Sequence, residues 1–357
     1  MIIPIIILVV VGFVLLEYKW AEYALEALHI KGSCDQTLVE PGQPVTWSAT
    51  VENHSRLPIS FLRLVQDFPI NATPREDQAW LRNFSRKTLF AWYAEYRMTL
   101  RGRHSVTRKV TMDFKDRGVY QIGNYHLSVG DLLGFREVES RGAGQKIVVM
   151  PHRSKQNSAV DAVGGFLGDI SVRRFILEDP ILTIGFREYT GREPLRAISW
   201  VRTAQSGSLQ VKQYDHTAEH HVVVLLNTEG ADEEQFEECL RLTRSVCEKL
   251  EQRKIPYGFR TNANLPGPLG KIHTMVEGLG ERHLNTILYG LGSADGVCFH
   301  SFRYMTRQTI KRRKGNESYI LITPDDKGEV YSCIQELSNA VGTQVCVLKG
   351  CEGVEQV

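Results

Sequence analysis

The chain of 357 residues is long enough for two or three domains, each with its own hydrophobic core. Its composition, 42% hydrophobic and 24% charged, is that of a globular protein and excludes a disordered, collagen-like or polytopic membrane protein. The 43 Lys and Arg against 41 Asp and Glu leave a formal net charge of +2, so overall charge favours neither nucleic acid nor an acidic substrate as the partner.

The N-terminus is the most apolar part of the sequence. Ile2 to Leu16 contains no charged residue and would span roughly 22 Å as a helix, against about 30 Å for the hydrocarbon core of a bilayer. Tyr18, Lys19 and Trp20 follow, as at a membrane interface. A cleaved signal peptide would need a basic start, and a buried first helix or strand is the other alternative. We expect a membrane anchor and juxtamembrane helix over residues 1–31.

The charges that flank this segment, and the cysteines of the whole chain, indicate the cellular compartment. No Lys or Arg precedes the apolar run, whereas Lys19 and Lys31 follow it, which favours a single-pass protein of the cell membrane with a cytoplasmic body. The number of cysteines, seven, is odd, and most lie inside apolar segments, so we expect reduced thiols in the core.

Residues 32–150 have the pattern of an all-β domain. Apolar and polar residues alternate with a period close to two, for example in Leu57 to Val65. Turn signals such as Pro41-Gly42 and Asp116-Arg117-Gly118 separate the segments. Many short strands without intervening helices predict an Ig-like β-sandwich.

The next part, residues 151–217, is predicted to be a connector. Its first stretch, Pro151 to Asp179, contains the pair Gly164-Gly165 and shows no strong periodicity. Its second stretch is dense in Arg, Tyr and Trp and is treated separately below.

From residue 218 to the C-terminus, strands alternate with helices. His221 to Asn227 is a continuous apolar strand, and Asp232 to Gln252 repeats its apolar residues at helical spacing. The later segments are a strand at Tyr257 to Thr261, helices at Glu281 to Leu291 and Phe302 to Arg313, a strand at Ser318 to Thr323, a helix at Gly328 to Ala340 and a strand at Gln344 to Leu348. This order predicts a doubly wound α/β domain with a parallel sheet.

In such a domain ligands bind beyond the carboxyl ends of the strands, so the loop from Asn227 to Asp232 is the first candidate site. Asn227, Thr228 and Glu229 offer oxygen ligands, but a single carboxylate makes a weak cation site. The simpler interpretation is that Thr228 and Asp232 cap the following helix.

Other catalytic patterns are missing from the sequence. Its glycine pairs lack the residues of a phosphate-binding loop, His220-His221 points to opposite faces of a strand, and no serine lies in a G-x-S-x-G elbow. The basic run Lys311 to Lys314 is best explained as a solvated helix end, with an anionic surface as the alternative. We expect neither a catalytic apparatus nor a cofactor.

The segment from Asp179 to Tyr214 is dense in Arg, Tyr and Trp, and it is called the signature segment below. Planar cations and aromatic rings of this kind anchor protein interfaces and buried ion networks. The segment is predicted either to bind a partner or to clamp the two domains together. The residues proposed for this role are Arg187, Glu188, Tyr189, Arg196, Trp200 and Lys212.

At these residues the chain resembles the domain of unknown function 58 family of prokaryotic proteins, whose signature is Arg-x-Tyr-x-x-Gly-Asp, then Ile-x-Trp, then Leu-x-Val-Lys. The matching residues are Arg187, Tyr189 and Gly191, then Ile198 and Trp200, then Leu209, Val211 and Lys212. Two earlier segments, Arg117 to Tyr120 and Gly130 to Phe135, also resemble that family's sandwich.

The resemblance implies a von Willebrand factor A-like α/β domain, but this chain departs from the family at two places. The Gly-Asp of the signature becomes Gly191-Arg192, with Glu193 one place later. The D-x-S-x-S metal-adhesion pattern becomes a degenerate one with Asn227 and Glu229, so no metal ligand set is assigned.

The resemblance further implies a membrane-tethered, non-enzymatic adaptor or scaffold that binds a protein partner, a MoxR-type AAA+ ATPase, in envelope-associated assembly or maturation. The alternative from another class is a divergent nucleotide- or metal-dependent hydrolase that uses the loop after the first α/β strand. Metal-dependent adhesion outside the cell is a third, weaker possibility.

Overall fold

The computed structural model describes residues 8, 11–12, 19–75, 85–87, 91–130, 136–174, 179–191, 193–215, 221–268, 270–313, 317–341, 345–350 and 354–356. The chain divides into two units. The first comprises Met1–His152 and Leu291–Ser293, and the second comprises Arg153–Gly290 and Ala294–Val357.

Strands make up most of the first unit. They are β1 (Leu28–Cys34), β2 (Leu38–Val39), β3 (Pro44–Asn53), β4 (Ile59–Pro69), β5 (Ala72–Pro74), β6 (Ser85–Lys87), β7 (Ala91–Leu100), β8 (Ser105–Phe114), β9 (Gly118–Ile122), β10 (Asn124–Gly130), β11 (Glu137–Gly142) and β12 (Gln145–Val149). Their sheets have the orders β1-β3-β8-β5, β11-β10-β4-β7-β6 and β2-β12-β9. All pairs are antiparallel except β2 with β12.

The alternation predicted from the sequence sets which side of each strand is buried. In β3 every second residue from Val45 to Val51 is buried, and in β4 Leu62, Leu64 and Phe68 are buried in the same way. Residues from both of these sheets contribute to one hydrophobic core. The prediction of a β-sandwich is therefore confirmed.

Two tryptophans fill this core. Trp92 stacks on Phe68 with ring centroids 4.5 Å apart, and its indole Nε1–H donates to the carbonyl oxygen of Ala72 at 2.8 Å. The Trp47 ring lies directly against the backbone of Gly32 and Gly123, where a Cβ atom would overlap it. The sandwich thus depends on glycine at two places to admit its largest side chain.

The N-terminal anchor predicted above is wrong. Most of Ile2 to Leu16 lies outside the described residues, and none of the helices that the structure describes is long and apolar enough to cross a membrane. Trp20, which was expected at a membrane interface, packs against the sandwich core from a helical segment at residues 19–26. Strand β1 then begins at Leu28, within the predicted juxtamembrane helix. The predictions of an N-terminal membrane anchor in the fold and of a single-pass membrane localisation are therefore both wrong.

From residue 153 onward helices and strands alternate. The helices are α1 (Asn157–Arg174), α2 (Trp200–Ser206), α3 (Glu233–Gln252), α4 (Glu281–Ser293), α5 (Phe302–Lys311) and α6 (Gly328–Val341), with a 3-10 turn at Leu195–Ala197. The strands are β13 (Asp179–Glu188), β14 (Gln210–Asp215), β15 (His221–Leu226), β16 (Tyr257–Thr261), β17 (Pro266–Gly267), β18 (Gly270–Lys271), β19 (Thr274–Gly278), β20 (Glu317–Thr323), β21 (Val345–Lys349) and β22 (Val354–Gln356).

The main sheet of this region has six strands in the order β19-β16-β15-β20-β21-β22. The four central strands are parallel, and the two edge strands are antiparallel to their neighbours. All seven residues of β20 are buried, which explains why the parallel strands have continuous apolar runs in the sequence. On one face, Val223, Leu225 and Leu321 share a core with residues of α5 and α6.

The stretch from Pro151 to Asp179, predicted to be a connector, instead contains the 18-residue helix α1. Its glycines concealed it from the sequence pattern, since glycine is a poor helix former. One of them, Gly164, admits the neighbouring helix α3: Arg253 donates to its carbonyl oxygen at 2.9 Å, and the Lys249 Nζ approaches Asp161 at 3.4 Å. Contacts with α3 therefore stabilise a helix of low intrinsic propensity.

We predict that Gly123→Ala destabilises the first unit by about 3 kcal/mol, whereas Gly42→Ala costs about 1 kcal/mol. Both glycines have a left-handed φ, +70° and +78°, but only a Cβ at position 123 would overlap Trp47. Urea denaturation monitored by hydrogen exchange of β3 amides measures the difference. Equal losses in the two variants would show that Trp47 does not constrain this turn.

Candidate functional site

Three strand ends meet at the carboxyl edge of the parallel sheet, and each supplies a buried polar side chain. Asn227 follows β15, Asn262 follows β16, and Thr323 ends β20. None of the three is exposed to solvent. Parallel strands bring their carboxyl ends to the same edge, and the structure places the predicted switch-point loop there.

The Asn227 amide is the centre of this group. Its Oδ1 accepts hydrogen bonds from the Asn262 amide at 2.7 Å and from the backbone N–H of Glu229 at 3.0 Å. Its Nδ2 donates to the Thr323 hydroxyl at 3.0 Å. The Asn262 Oδ1 in turn accepts from the backbone N–H of Thr228 at 3.0 Å. These side chains satisfy one another, as buried polar groups must.

Glu229, the single carboxylate of the loop, stabilises a helix. Its Oε2 accepts the backbone N–H of Phe302 at 2.6 Å, at the first residue of α5. A carboxylate at this position meets an unsatisfied N–H and the positive end of the helix dipole. The adjacent Ser301 is the N-cap and accepts from Tyr304 N–H at 3.3 Å. Glu229 therefore fixes the start of α5.

Of the two residues predicted to cap α3 from this loop, Asp232 does so and Thr228 does not. Asp232 caps α3 through a capping box, accepting from Gln235 N–H at 2.8 Å while the Gln235 side chain accepts from the Asp232 N–H. Thr228 does not cap the helix, since its hydroxyl lies 3.3 Å from the Cys298 Sγ. Within the described ranges, no three His, Cys, Asp or Glu side chains converge as a metal ligand set would.

The six described cysteines carry no disulfide, as expected for core thiols, and Cys351 lies outside the described residues. Burial raises the pKa of the Cys34 thiol to about 11 and that of Cys346 to about 12. It raises the pKa of Cys247 as well. Since the thiolate is the nucleophile, these three cysteines are suited to packing and not to catalysis.

The signature segment folds as a two-stranded antiparallel sheet, β13 with β14, with the 3-10 turn and α2 between its strands. The structure places the six residues proposed for it as follows: Arg187 and Glu188 end β13, Tyr189 follows with its N–H bonded to the Leu209 carbonyl at 2.8 Å, Arg196 lies in the 3-10 turn, Trp200 begins α2, and Lys212 lies in β14 opposite Phe186. All except the half-buried Tyr189 are exposed.

A residue absent from that set, Glu193, holds the turn of the segment together. Its carboxylate accepts the Thr190 hydroxyl at 2.7 Å, the Thr190 N–H at 3.1 Å and an Arg187 guanidinium N–H at 2.6 Å. Gly191 supplies the left-handed φ of +88° that this turn requires. The acidic residue one place beyond the family's Gly-Asp was the sequence signal that would have found it.

The segment also exposes an apolar surface, here called the Trp200 face. Three of its side chains are mostly exposed: Leu195 (69%), Trp200 (65%) and Val201 (71%). Phe186 and Leu209 are exposed to a smaller extent, and the Arg202 guanidinium lies 5.0 Å from the Phe186 ring centroid. A cluster of large apolar groups on one short segment is typical of an interaction surface.

Comparison with known proteins does not assign the chain to a family. No family model matches it, and no curated protein matches it either, so the resemblance to the domain of unknown function 58 family stays a prediction. Part of that resemblance, residues 131–135, lies outside the described residues.

Solved structures with local similarity include three of different kinds. The CARDB domain of a Pyrococcus furiosus protein is 10% identical, with 34% of this chain and 91% of that chain covered and a TM-score of 0.21. A Salmonella alpha-2-macroglobulin is 12% identical, with 35% and 9% covered and a TM-score of 0.26. The Bacillus subtilis sporulation control protein Spo0M is 13% identical, with 46% and 58% covered and a TM-score of 0.20. Similarities at this level identify neither the fold nor the function.

We predict that Asn227→Ala lowers the free energy of unfolding of the second unit by about 3 kcal/mol, since it leaves the Asn262 amide and the Glu229 N–H without an acceptor. Asp232→Ala removes only a helix cap from the same loop and costs about 1 kcal/mol. Hydrogen exchange of β20 amides in increasing urea measures both. An Asn227 variant no less stable than the Asp232 variant would contradict the central role of the amide.

The carboxyl of Glu193 gives a prediction about pH. The hydrogen bond from the Thr190 hydroxyl, followed by that from Arg187, lowers the pKa of Glu193 to about 2. A lowered folded-state pKa contributes stability above the unfolded value, near 4.3, that is lost as the pH falls through about 2. Carboxyl ¹³C NMR titration should therefore place the midpoint near pH 2.

Variants separate the contributions to this pKa. Thr190→Val should raise the Glu193 midpoint toward that of a free glutamate, and Arg187→Gln should raise it by less. Arg202→Gln, in which a nearby cation with no bond to Glu193 is removed, should leave it unchanged. A midpoint near pH 4 in the unmodified protein would show that the turn is not closed in solution.

Proposed function

We propose that this protein is a non-enzymatic adaptor that binds a protein partner through the Trp200 face. The observation that supports this proposal is the exposure of Leu195, Trp200 and Val201 on consecutive short elements of one segment. Tryptophan and arginine are the residues most often responsible for binding energy at protein interfaces, and Trp200 lies beside Arg196 and Arg202 in the chain.

The backbone beneath the Trp200 face is held by hydrogen bonds. Ser199 N–H donates to the Gln210 carbonyl at 2.8 Å, and Gln210 N–H donates to the Thr203 hydroxyl at 3.0 Å. Gly207, with a left-handed φ of +72°, ends α2 by donating to the Thr203 carbonyl at 3.0 Å. A surface ordered before binding loses less conformational entropy when a partner arrives.

The charges around the face indicate the kind of partner. Arg196, Arg202 and Lys212 are exposed, as is Glu188, whereas Glu193 is engaged with Arg187. Exposed charges that are mostly positive, next to exposed apolar side chains, favour a partner surface that is apolar and carries acidic groups. The resemblance described above makes a MoxR-type AAA+ ATPase the first candidate for that partner.

The carboxyl edge of the sheet supports a non-enzymatic role. The hydrolase alternative needs Asn227 and Glu229 as ligands for a metal or nucleotide. In this chain the Asn227 oxygen accepts two hydrogen bonds within the loop, and the Glu229 carboxylate binds the start of α5. Recruiting either group for a ligand would break contacts on which the edge depends.

We predict that Trp200→Ala weakens binding of an AAA+ ATPase partner at least tenfold, because it removes the largest apolar side chain of the face. The matched control is Tyr331→Ala, which removes another aromatic side chain that is more than half exposed, from α6. Co-purification from extracts under mild detergent identifies the partner, and calorimetry with the purified pair measures the affinities. Equal weakening by both variants, or no AAA+ ATPase recovered with the folded protein, would count against the proposal.

A further inference from the structure

A second candidate site lies between α5, the end of β16 and the residues before β19. It is a cavity of about 170 Å³. The residues that line it come from segments far apart in the sequence: Arg260, Thr261, His273, Thr274, His300, Tyr304, Met305, Gln308, Thr309 and Arg312. It is separate from the Asn227 network and from the Trp200 face, and neither role described above uses it.

The positive charge in the lining of this cavity comes from two arginines, and among the described residues that line it none carries a carboxylate. Two histidines also line it, and burial, followed by the nearby His300 and Lys271, lowers the pKa of His273, so that this ring contributes a neutral imidazole. Lys271 adds a further positive charge nearby, with its Nζ 4.6 Å from the centroid of Phe299, a ring that packs against His273. Arginine forks and imidazole N–H groups are suited to binding oxyanions.

Two residues that line the cavity each carry a buried polar atom with no hydrogen-bond partner within the described residues. Thr309 is only 1% exposed, yet its hydroxyl is unpaired. The nearby Thr306, also in α5, instead bonds its hydroxyl to the Phe302 carbonyl four residues earlier, at 3.0 Å. The Nδ1 of His273 is unpaired as well. A ligand that accepted hydrogen bonds from these two atoms would remove the cost of leaving them unpaired.

Both arginines of the lining lie close to Thr309. Arg260 reaches α5 through an N–H bond to the Thr309 carbonyl at 3.5 Å, which places its guanidinium beside that threonine. Arg312 is the C-cap residue of α5, one turn further along. The last turn of a helix carries the negative end of its dipole, so an anion is favoured here only because the arginines outweigh that dipole.

The volume limits what the cavity can hold. An engineered cavity of about 150 Å³ accommodates one benzene molecule of six heavy atoms. A tetrahedral oxyanion has five heavy atoms, so a single phosphoryl group fits and a whole nucleotide does not. His300 and Tyr304 are exposed, with ring centroids 4.7 Å apart, so a group attached to the phosphate can lie against them.

We propose that this cavity binds a phosphoryl group, free or carried by a small molecule, held by Arg260, Arg312 and the Thr309 hydroxyl. Arg312 belongs to the basic run Lys311 to Lys314, of which Lys314 lies outside the described residues. The site thus gives one residue of that run a specific role. It does not depend on the proposed adaptor function.

The test uses the full-length chain and inorganic phosphate at constant ionic strength, with chloride as the competing salt. Calorimetry and ³¹P NMR line broadening should detect saturable binding to one site. Arg312→Gln should weaken it roughly tenfold, the usual effect of losing one charge-assisted hydrogen bond. Arg313→Gln removes the neighbouring exposed cation, which does not line the cavity, and should leave the affinity within about twofold.

Thr309→Val distinguishes binding from folding. It removes a hydroxyl that has no partner in the protein, so the ligand-free variant should unfold at the same urea concentration as the unmodified chain or higher, while phosphate binding weakens. Equal effects of Arg312→Gln and Arg313→Gln would reduce the binding to general charge attraction and overturn the proposal. Absence of saturable binding would overturn it too.

Phenyl phosphate then identifies the source of the phosphoryl group. Tighter binding than that of inorganic phosphate, with only this advantage lost in Tyr304→Ala, assigns the site to a phosphoryl group carried by a small molecule. Equal affinity for the two ligands assigns it to free phosphate. Failure of both ligands to bind would contradict the site itself.

Discussion

The buried Asn227 amide holds together the carboxyl edge of the parallel sheet in the second unit. It joins the ends of β15, β16 and β20 through bonds to the Asn262 amide and the Thr323 hydroxyl. A buried amide of this kind is tolerated only when its hydrogen bonds are made, so the three strand ends have a single acceptable arrangement. An aspartate at this position would keep the acceptors but lose the donor to Thr323. The amide is therefore suited to closing the edge.

That closure determines the position of α5 and, through it, the cavity. The Asn227 oxygen accepts the N–H of Glu229 and so orients the loop, and the Glu229 carboxylate then binds the first N–H of α5. The helix brings Thr309 and Arg312 beside Arg260. The acidic group of the loop is used for structure, and the groups that remain near this helix are mainly cationic. The anion site proposed above therefore lies next to a loop whose single carboxylate is already engaged with α5.

The sequence predicted the elements that carry periodic patterns and missed those that depend on long-range contacts. The buried strands of the parallel sheet and the helix beginning after Asp232 were evident, because their hydrophobic periods are strong. Helix α1 was missed because its glycines lower the helix signal, whereas contact with α3 stabilises it. The apolar run ending near Trp20 was assigned to a membrane, although Trp20 packs on the sandwich. Of the cavity residues only Arg312 lies in a run noted in the sequence, because no local pattern marks Thr309 as unpaired.

In the signature segment, too, one carboxylate holds a turn closed while other charged side chains stay exposed. Glu193 takes up Arg187 inside the turn, so the carboxylate neutralises one cation of the segment and leaves Arg202 and Lys212 at its surface. Trp200 is mostly exposed, and among the described residues its side chain takes no part in the hydrogen bonds that order α2, which come from Ser199, Gln210 and Thr203. The partner binding proposed above would account for this exposure, because it would bury the apolar ring on a framework that is already ordered.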